Sequence, residues 1–253
     1  KEVIKMKNYM NNLIFKLLPG AYVRGKIGRG AKEHNFLYDR NIIKQLNVES
    51  FSQYGQDAFI YWMVFGGKHE GIFMDVGGND PITINNTYLF EQKGWKGIAF
   101  EPMKSQADKW INTRKTPCQN IAIGMVEDEV EFTEMNKHEC SGIGIKNDEM
   151  EGAVTYKVKQ RKLANIFKEN NINHVDMISI DVEGYEMNVL KGIDFEEVDI
   201  TCFCIENNRD GEIIPDMELR KFMIGKGYRL VARLTIDDIF IKESYFTNKE
   251  ESV

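Results

Sequence analysis

The chain has 253 residues, 42 % of them hydrophobic, which is enough for one large domain or for a domain with an extension. Its formal charge of −6 is uneven: residues 1–50 hold ten Lys or Arg against four acids, net +6, and the rest holds 23 against 35, net −12. An acidic body argues against a nucleic-acid polymer as partner, and no run of about 18 apolar residues offers a transmembrane segment. Helical spacing runs through "VIKMKNYMNNLIFKLL", "FLYDRNIIKQL" and "GQDAFIYWMVFGG". Next, "GIFMDVGG" reads as a strand, "NNTYLFEQKG" as a helix with Asn85 or Asn86 as N-cap and Gly94 as C-cap, and "WKGIAFEP" as a strand. A helix through "SQADKWINTR" and a strand at "QNIAIG" follow, then a β-rich excursion over residues 127–160. "LANIFKEN" is helical, "HVDMISIDVEG" a buried strand, "YEMNVLKG" a short helix ending at Lys191 and Gly192, and "DITCFCIENN" another buried strand. A helix near "MELRKFMIGKG" and two alternating strands, "YRLVARL" and "DIFIKE", close the pattern.

Apolar strands alternating with helices predict an α/β fold, a doubly wound Rossmann-like sheet that is mostly parallel with an antiparallel edge. A basic helical extension over residues 1–50 precedes this domain over 51–253. The four cysteines, Cys118, Cys140, Cys202 and Cys204, lack metal-type CxxC spacing, and Cys202 and Cys204 share one strand face. They read as reduced packing residues of a cytoplasmic protein. "YMNNLIFKLLPG" has no signal-peptide cleavage pattern, and the chain opens on Lys1 rather than methionine, which leaves room for residues upstream.

In such sheets ligands bind beyond the carboxyl ends of the strands. Those ends carry Asp75, Gly77, Gly78 and Asn79, then Glu101, then Asp181 and Glu183, then Glu206, Asn207 and Asn208. Gly77 and Gly78 are expected to let a ligand approach the backbone and to leave amide N–H groups free. Glu101, 24 residues beyond Gly77, is placed to hold both hydroxyls of a ribose. A dinucleotide fingerprint would put glycines at 77, 79 and 82, where the chain has Gly77, Asn79 and Ile82, so a nicotinamide cofactor is disfavoured. S-adenosylmethionine, with an amino-acid end, a ribose and an adenine, suits the cluster.

Six blocks together, "SQYGQD", "GIFMDVGGND", "NNTYLFEQKGWKGIAFEP", "NIAIG", "ISIDVEGYEMNVLKG" and "IENN", resemble the FkbM family of S-adenosylmethionine-dependent O-methyltransferases over about residues 50–240. Pro81 stands where that pattern more often has glycine. The resemblance implies that Tyr54, Asp75, Gly77, Gly78, Asn79, Asn86, Thr87, Glu101, Pro102, Ala122 and Asp181 contact the cofactor, and that Tyr54, Gln56 and Asp57 close over cofactor or acceptor. It further implies methylation of a sugar hydroxyl, in a nucleotide-linked sugar or a surface (capsule) polysaccharide precursor. A non-sugar natural product as acceptor, a Rossmann-type oxidoreductase and a silent binding module are the competing readings.

An aliphatic hydroxyl is a weak acid, and a divalent metal lowers the pKa of a coordinated oxygen. Asp181, Glu206 and Asn207 are three hard oxygen ligands from neighbouring strand ends, suited to Mg²⁺ or Mn²⁺ and similar to the metal set of catechol-type methyltransferases. Otherwise Asp181, or His138 in the excursion, serves as the base. Arg24, Lys26 and Arg29 of "RGKIGRGAK" are candidate contacts for acceptor phosphates, with Glu183 and Asn208 at the acceptor end. "NNLIFKLL" suits packing in a homodimer or contact with a membrane surface.

Overall fold

The computed structural model describes residues 49–135, 141–144, 153–208 and 214–250. The basic extension up to residue 48 and the loop around His138 therefore lie outside the described residues. In chain order the elements are α1 (Gln56–Phe59), continued by a π-helical turn over Ile60–Val64, then β1 (Ile72–Val76), α2 (Tyr88–Gln92), β2 (Lys96–Phe100), α3 (Lys104–Thr113), β3 (Cys118–Gln119) and β4 (Ala122–Ile123). They continue as β5 (Asp128–Glu134), β6 (Gly142–Ile143), β7 (Val154–Arg161), α4 (Leu163–Glu169), β8 (His174–Ile180), α5 (Glu186–Lys191) and β9 (Asp199–Glu206). The last are α6 (Met217–Gly225), β10 (Tyr228–Leu234), β11 (Asp237–Lys242) and α7 (Glu243–Glu250). No helix among the described residues is long and apolar enough to cross a membrane.

A seven-stranded sheet has the order β10-β11-β9-β8-β1-β2-β3. The ladders from β3 through β2, β1 and β8 to β9 are parallel, and β11 and β10 add antiparallel strands at the edge. Alternate residues of each central strand feed separate apolar clusters, as strand geometry requires when both faces are covered. Met74, Val76, Ile178, Ile180, Phe203 and Ile205 pack with α4, α5 and α6. Phe73, Met177, Cys202 and Cys204 pack with α1 and α2.

Two local features follow from side chains reaching the backbone. The N-cap of α2 is Thr87 rather than Asn85 or Asn86, and Asn85 Oδ1 supports the helix start from two residues ahead of it by accepting from the N–H of Thr87 (2.9 Å) and Tyr88 (2.8 Å). Gly94, at φ 93, ends it. The "QNIAIG" segment, expected as one strand, is two. Cys118–Gln119 joins β2, and Ala122–Ile123 joins β7 in a second sheet of order β4-β7-β5-β6. Asn120 makes the break, because its Nδ2 donates to the carbonyls of Glu101 (2.9 Å) and Pro102 (2.8 Å) while Ile121 N turns back to Gln119 O (2.9 Å).

The chain leaves β1 through β2 and β3 on one side and returns as β8 on the other, so strand order reverses at β1. The registers Val76↔Phe100, Val76↔Ile180 and Ile180↔Ile205 bring Gly77, Glu101, Asp181 and Glu206 side by side at one edge.

Candidate active site

A cavity of about 830 Å³ opens at this edge, a size in the ordinary range for small-molecule and cofactor sites. Asp75, Gly77, Gly78, Asn79, Asn86, Glu101, Pro102 and Ala122 line it, as do Asp181, Glu183 and Glu206. Met103 of the α3 turn, with Phe132 and Ile143 of the second sheet, adds an apolar end beyond Glu101, and the amide of Gln106 lines the cavity as well.

The end of β1 is held by a buried polar network. Asp75 Oδ2 accepts from Thr87 Oγ1 (2.5 Å) and Asn85 Nδ2 (3.1 Å). Arg114, whose side chain is fully buried, donates through Nη1 to Asn85 Oδ1 (3.0 Å), Thr87 Oγ1 (3.1 Å) and Pro81 O (3.2 Å) and pairs through Nε with Glu91 (3.1 Å). Its guanidinium lies 4.2 Å from the centre of the Trp110 ring. Burial pushes Asp75 up, whereas the Thr87 hydroxyl, the Arg114 charge and the Asn85 amide favour its charged form. Thr87, fully buried, thus serves Asp75 and not the cavity directly.

The glycines do a different job from the one their sequence pattern suggests. Gly77 N (3.0 Å) and Gly78 N (3.3 Å) both donate to Phe100 O, so neither amide is free for a ligand. A Cβ on Gly77, which has φ 82, would lie 1.8 Å from Asp181 O, and one on Gly78 would lie 2.7 Å from the Trp110 ring. Their lack of a side chain lets β1 close against the β8 turn and α3.

Glu101 is 2 % exposed, and its two oxygens accept from Asn79 N (2.7 Å) and Met103 N (2.7 Å). Burial pushes its pKa up to about 7 despite both bonds, with Asp75 and Glu134 adding to the rise. The carboxylate is thus fixed in orientation while each oxygen keeps capacity for a second donor.

At the ends of β8 and β9, ligand atoms of Asp181, Glu183 and Glu206 all lie within 4.8 Å of one another. Glu206 rises far above the ordinary carboxyl range, through burial first and then the Asp181 and Glu183 charges, and it is hydrogen-bonded to Asp181. Asp181 is also raised, although solvent reaches it through the cavity. Asn207 does not join this group. Its Nδ2 donates to Asp238 Oδ2 (2.7 Å) and its Oδ1 accepts from Asp216 N (2.7 Å). Adjacent strand residues point to opposite faces, so Glu206 meets the cavity and Asn207 turns to the cluster where Arg220 (2.7 Å) and Arg233 (2.9 Å) pair with Asp238. Glu183, expected at the acceptor end, occupies the third place. Three carboxylates still form a donor set suited to a hard divalent cation.

Asn208 donates from Nδ2 to Glu206 Oε1 (2.7 Å) and is not among the lining residues. Tyr54 is likewise not a lining residue; its N–H donates to Gln56 Oε1 (2.8 Å). Asp57 is buried and accepts from Phe51 N (2.7 Å), Ser52 Oγ (2.7 Å) and Ala58 N (2.7 Å), while Gln56 Nε2 bonds Asp237 (2.5 Å). These residues fix a loop whose Gln53 faces the cavity, a contact that the same sequence block contains but does not single out. Arg24, Lys26, Arg29 and His138 lie outside the described residues.

A mixed α/β sheet with its cavity at the strand-order reversal, walled by oriented carboxyls, is the frame of a small-molecule enzyme domain. The methyltransferase FkbM domain family matches residues 75–230, more than half of the chain, and the chain belongs to that family. It is a methyltransferase. No curated protein matches the sequence.

Proposed function

We propose that the protein is an O-methyltransferase that uses S-adenosylmethionine on a Rossmann-like class I frame and acts on a sugar hydroxyl. The observation that carries this is the division of one cavity into two chemically distinct ends. At one end Glu101 offers a fixed carboxylate beside the apolar walls of Met103 and Phe132, which suits a ribose and its base. At the other, Asp181, Glu183 and Glu206 converge. The cavity volume and this donor set fit S-adenosylmethionine, with Glu101 holding the ribose and the Gly77–Asn79 turn and Asp75 network shaping the amino-acid end. When bound, that cofactor supplies a methyl group on a sulfonium, already a good electrophile.

The chain's own residues then orient the acceptor and handle its proton. Asp181 accepts the proton of the acceptor hydroxyl, and Glu206 and Glu183 accept hydrogen bonds from neighbouring hydroxyls, which favours a polyhydroxylated acceptor. Arg24, Lys26 and Arg29 are our proposed contacts for phosphates if that sugar is nucleotide-linked. A second reading rests on the mutual approach of the three carboxyls: they hold Mg²⁺ or Mn²⁺, which would acidify the hydroxyl.

Methyl-labelled S-adenosylmethionine incubated with a panel of sugars and nucleotide sugars tests both readings. Label in the sugar fraction supports the proposal, and label in none while other hydroxylated acceptors are methylated overturns the sugar assignment. Loss of transfer with EDTA and its return with Mg²⁺ selects the metal reading, whereas full activity after chelation leaves Asp181 as direct base.

A further inference from the structure

The turn joining β8 to α5 carries two of the three carboxyls that meet in the cavity, Asp181 and Glu183. Its upstream end is tied to the sheet, where Asp181 N donates to Val76 O (3.0 Å). Its downstream end is in backbone that needs holding. Glu183 sits at φ 53 and Gly184 at φ 92, and left-handed backbone is disfavoured for a residue with a side chain.

Glu186 supplies the hold. Its Oε1 accepts from Val182 N (3.2 Å) and from Gly184 N (3.1 Å), one amide on each side of Glu183. The residue is 8 % exposed and is not among those lining the cavity, so it acts on the turn rather than on a ligand. It stands in the first turn of α5 but reaches back out of the helix, whose N-cap Tyr185 makes no side-chain capping bond. A carboxylate that served only to terminate α5 would have no need to straddle Glu183.

We propose that Glu186 is a positioning residue that fixes the backbone on both sides of Glu183 and so presents Asp181 and Glu183 to the cavity. The inference rests on reading the cavity as the methyltransferase site. Glutamine keeps the side-chain oxygen that accepts both bonds, aspartate is one methylene too short to reach them, and alanine has none.

The test compares Glu186→Ala, Glu186→Asp and Glu186→Gln by amide hydrogen exchange at Val182 and Gly184, by turnover of methyl-labelled S-adenosylmethionine with an acceptor taken from the sugar panel, and by thermal midpoint. With the midpoint held within a few degrees, the Ala and Asp variants should exchange those two amides about tenfold faster, as expected for about one lost hydrogen bond, and should turn over several-fold more slowly. The Gln variant should match wild type in both. If the Ala variant does not fold, the Asp and Gln pair decides. Unchanged exchange in Ala and Asp, faster exchange with unchanged turnover, or a Gln variant as impaired as Ala would each overturn the proposal. Wild-type protein that transfers no label to any acceptor would count against the functional reading instead, and the exchange measurement would still decide whether Glu186 holds the turn.

Discussion

Two groups of acids line one cavity and are treated in opposite ways. At the end of β1, Asp75 is surrounded by donors: the Thr87 hydroxyl, the Asn85 amide and the nearby Arg114 charge all favour its ionised form against burial. At the ends of β8 and β9, Asp181 and Glu206 face each other beside Glu183, and no described lysine or arginine forms an ion pair with either Asp181 or Glu206. Its donors fix Asp75 in place although burial still raises its pKa, and so make it part of a scaffold. Acids set against one another share protons, and so can take one from a substrate.

The largest expected effect breaks the uncompensated side. Asp181→Asn should lower turnover about 10²- to 10⁴-fold, the usual worth of a general base, while S-adenosylhomocysteine binding stays within a few-fold by calorimetry. On the compensated side, Arg114→Met should cost roughly 3 to 5 kcal/mol in urea denaturation, because Glu91 and Asp75 are left buried without their cation. Glu206→Gln is the counterpart and should be neutral or stabilising in the same assay, since it removes the cost of holding a proton that the unfolded chain releases and breaks no ion pair. Equal losses in the two variants would dissolve the comparison.

Glu101 lies between these extremes. Glu101→Ala should weaken S-adenosylhomocysteine binding by roughly 1.5 to 3 kcal/mol, the range for hydrogen bonds to a charged group. The smallest effect is on pH. Ribose hydroxyls need the ionised carboxylate, so with a pKa of about 7 the wild-type affinity should tighten about tenfold from pH 6 to pH 8, and the Glu101→Ala variant should lose that slope. The stability contribution has the opposite sign. The folded state holds this proton more tightly than the unfolded chain, so the contribution is fully present below about pH 4.3 and is lost as pH rises to about 7.

Elements and strand ends were legible because buried parallel strands write themselves as apolar runs, and their terminal polar residues stand out against them. "FMDVGG", "IAFEP" and "ISIDVEG" all end at the cavity edge. Side-chain partners drawn from distant segments were not legible. Arg114 is only the last residue of the predicted helix "SQADKWINTR", and the fold alone brings Pro81, Asn85 and Glu91 around it. The bend at Asn120 depends on carbonyls 18 and 19 residues earlier. Glu183 and Asn207 were a different matter, because strand alternation, already in the sequence, turns Asn207 away from Glu206. What brings Glu183 in is the left-handed turn at φ 53, which no periodicity announces.

Calorimetric titration of the wild-type protein with S-adenosylhomocysteine, alongside NAD, decides whether the Glu101 end of the cavity receives an adenosyl cofactor. Saturable one-to-one binding of S-adenosylhomocysteine, weakened in Glu101→Ala, and no heat with NAD is the predicted result. Binding of NAD with no response to S-adenosylhomocysteine would contradict it.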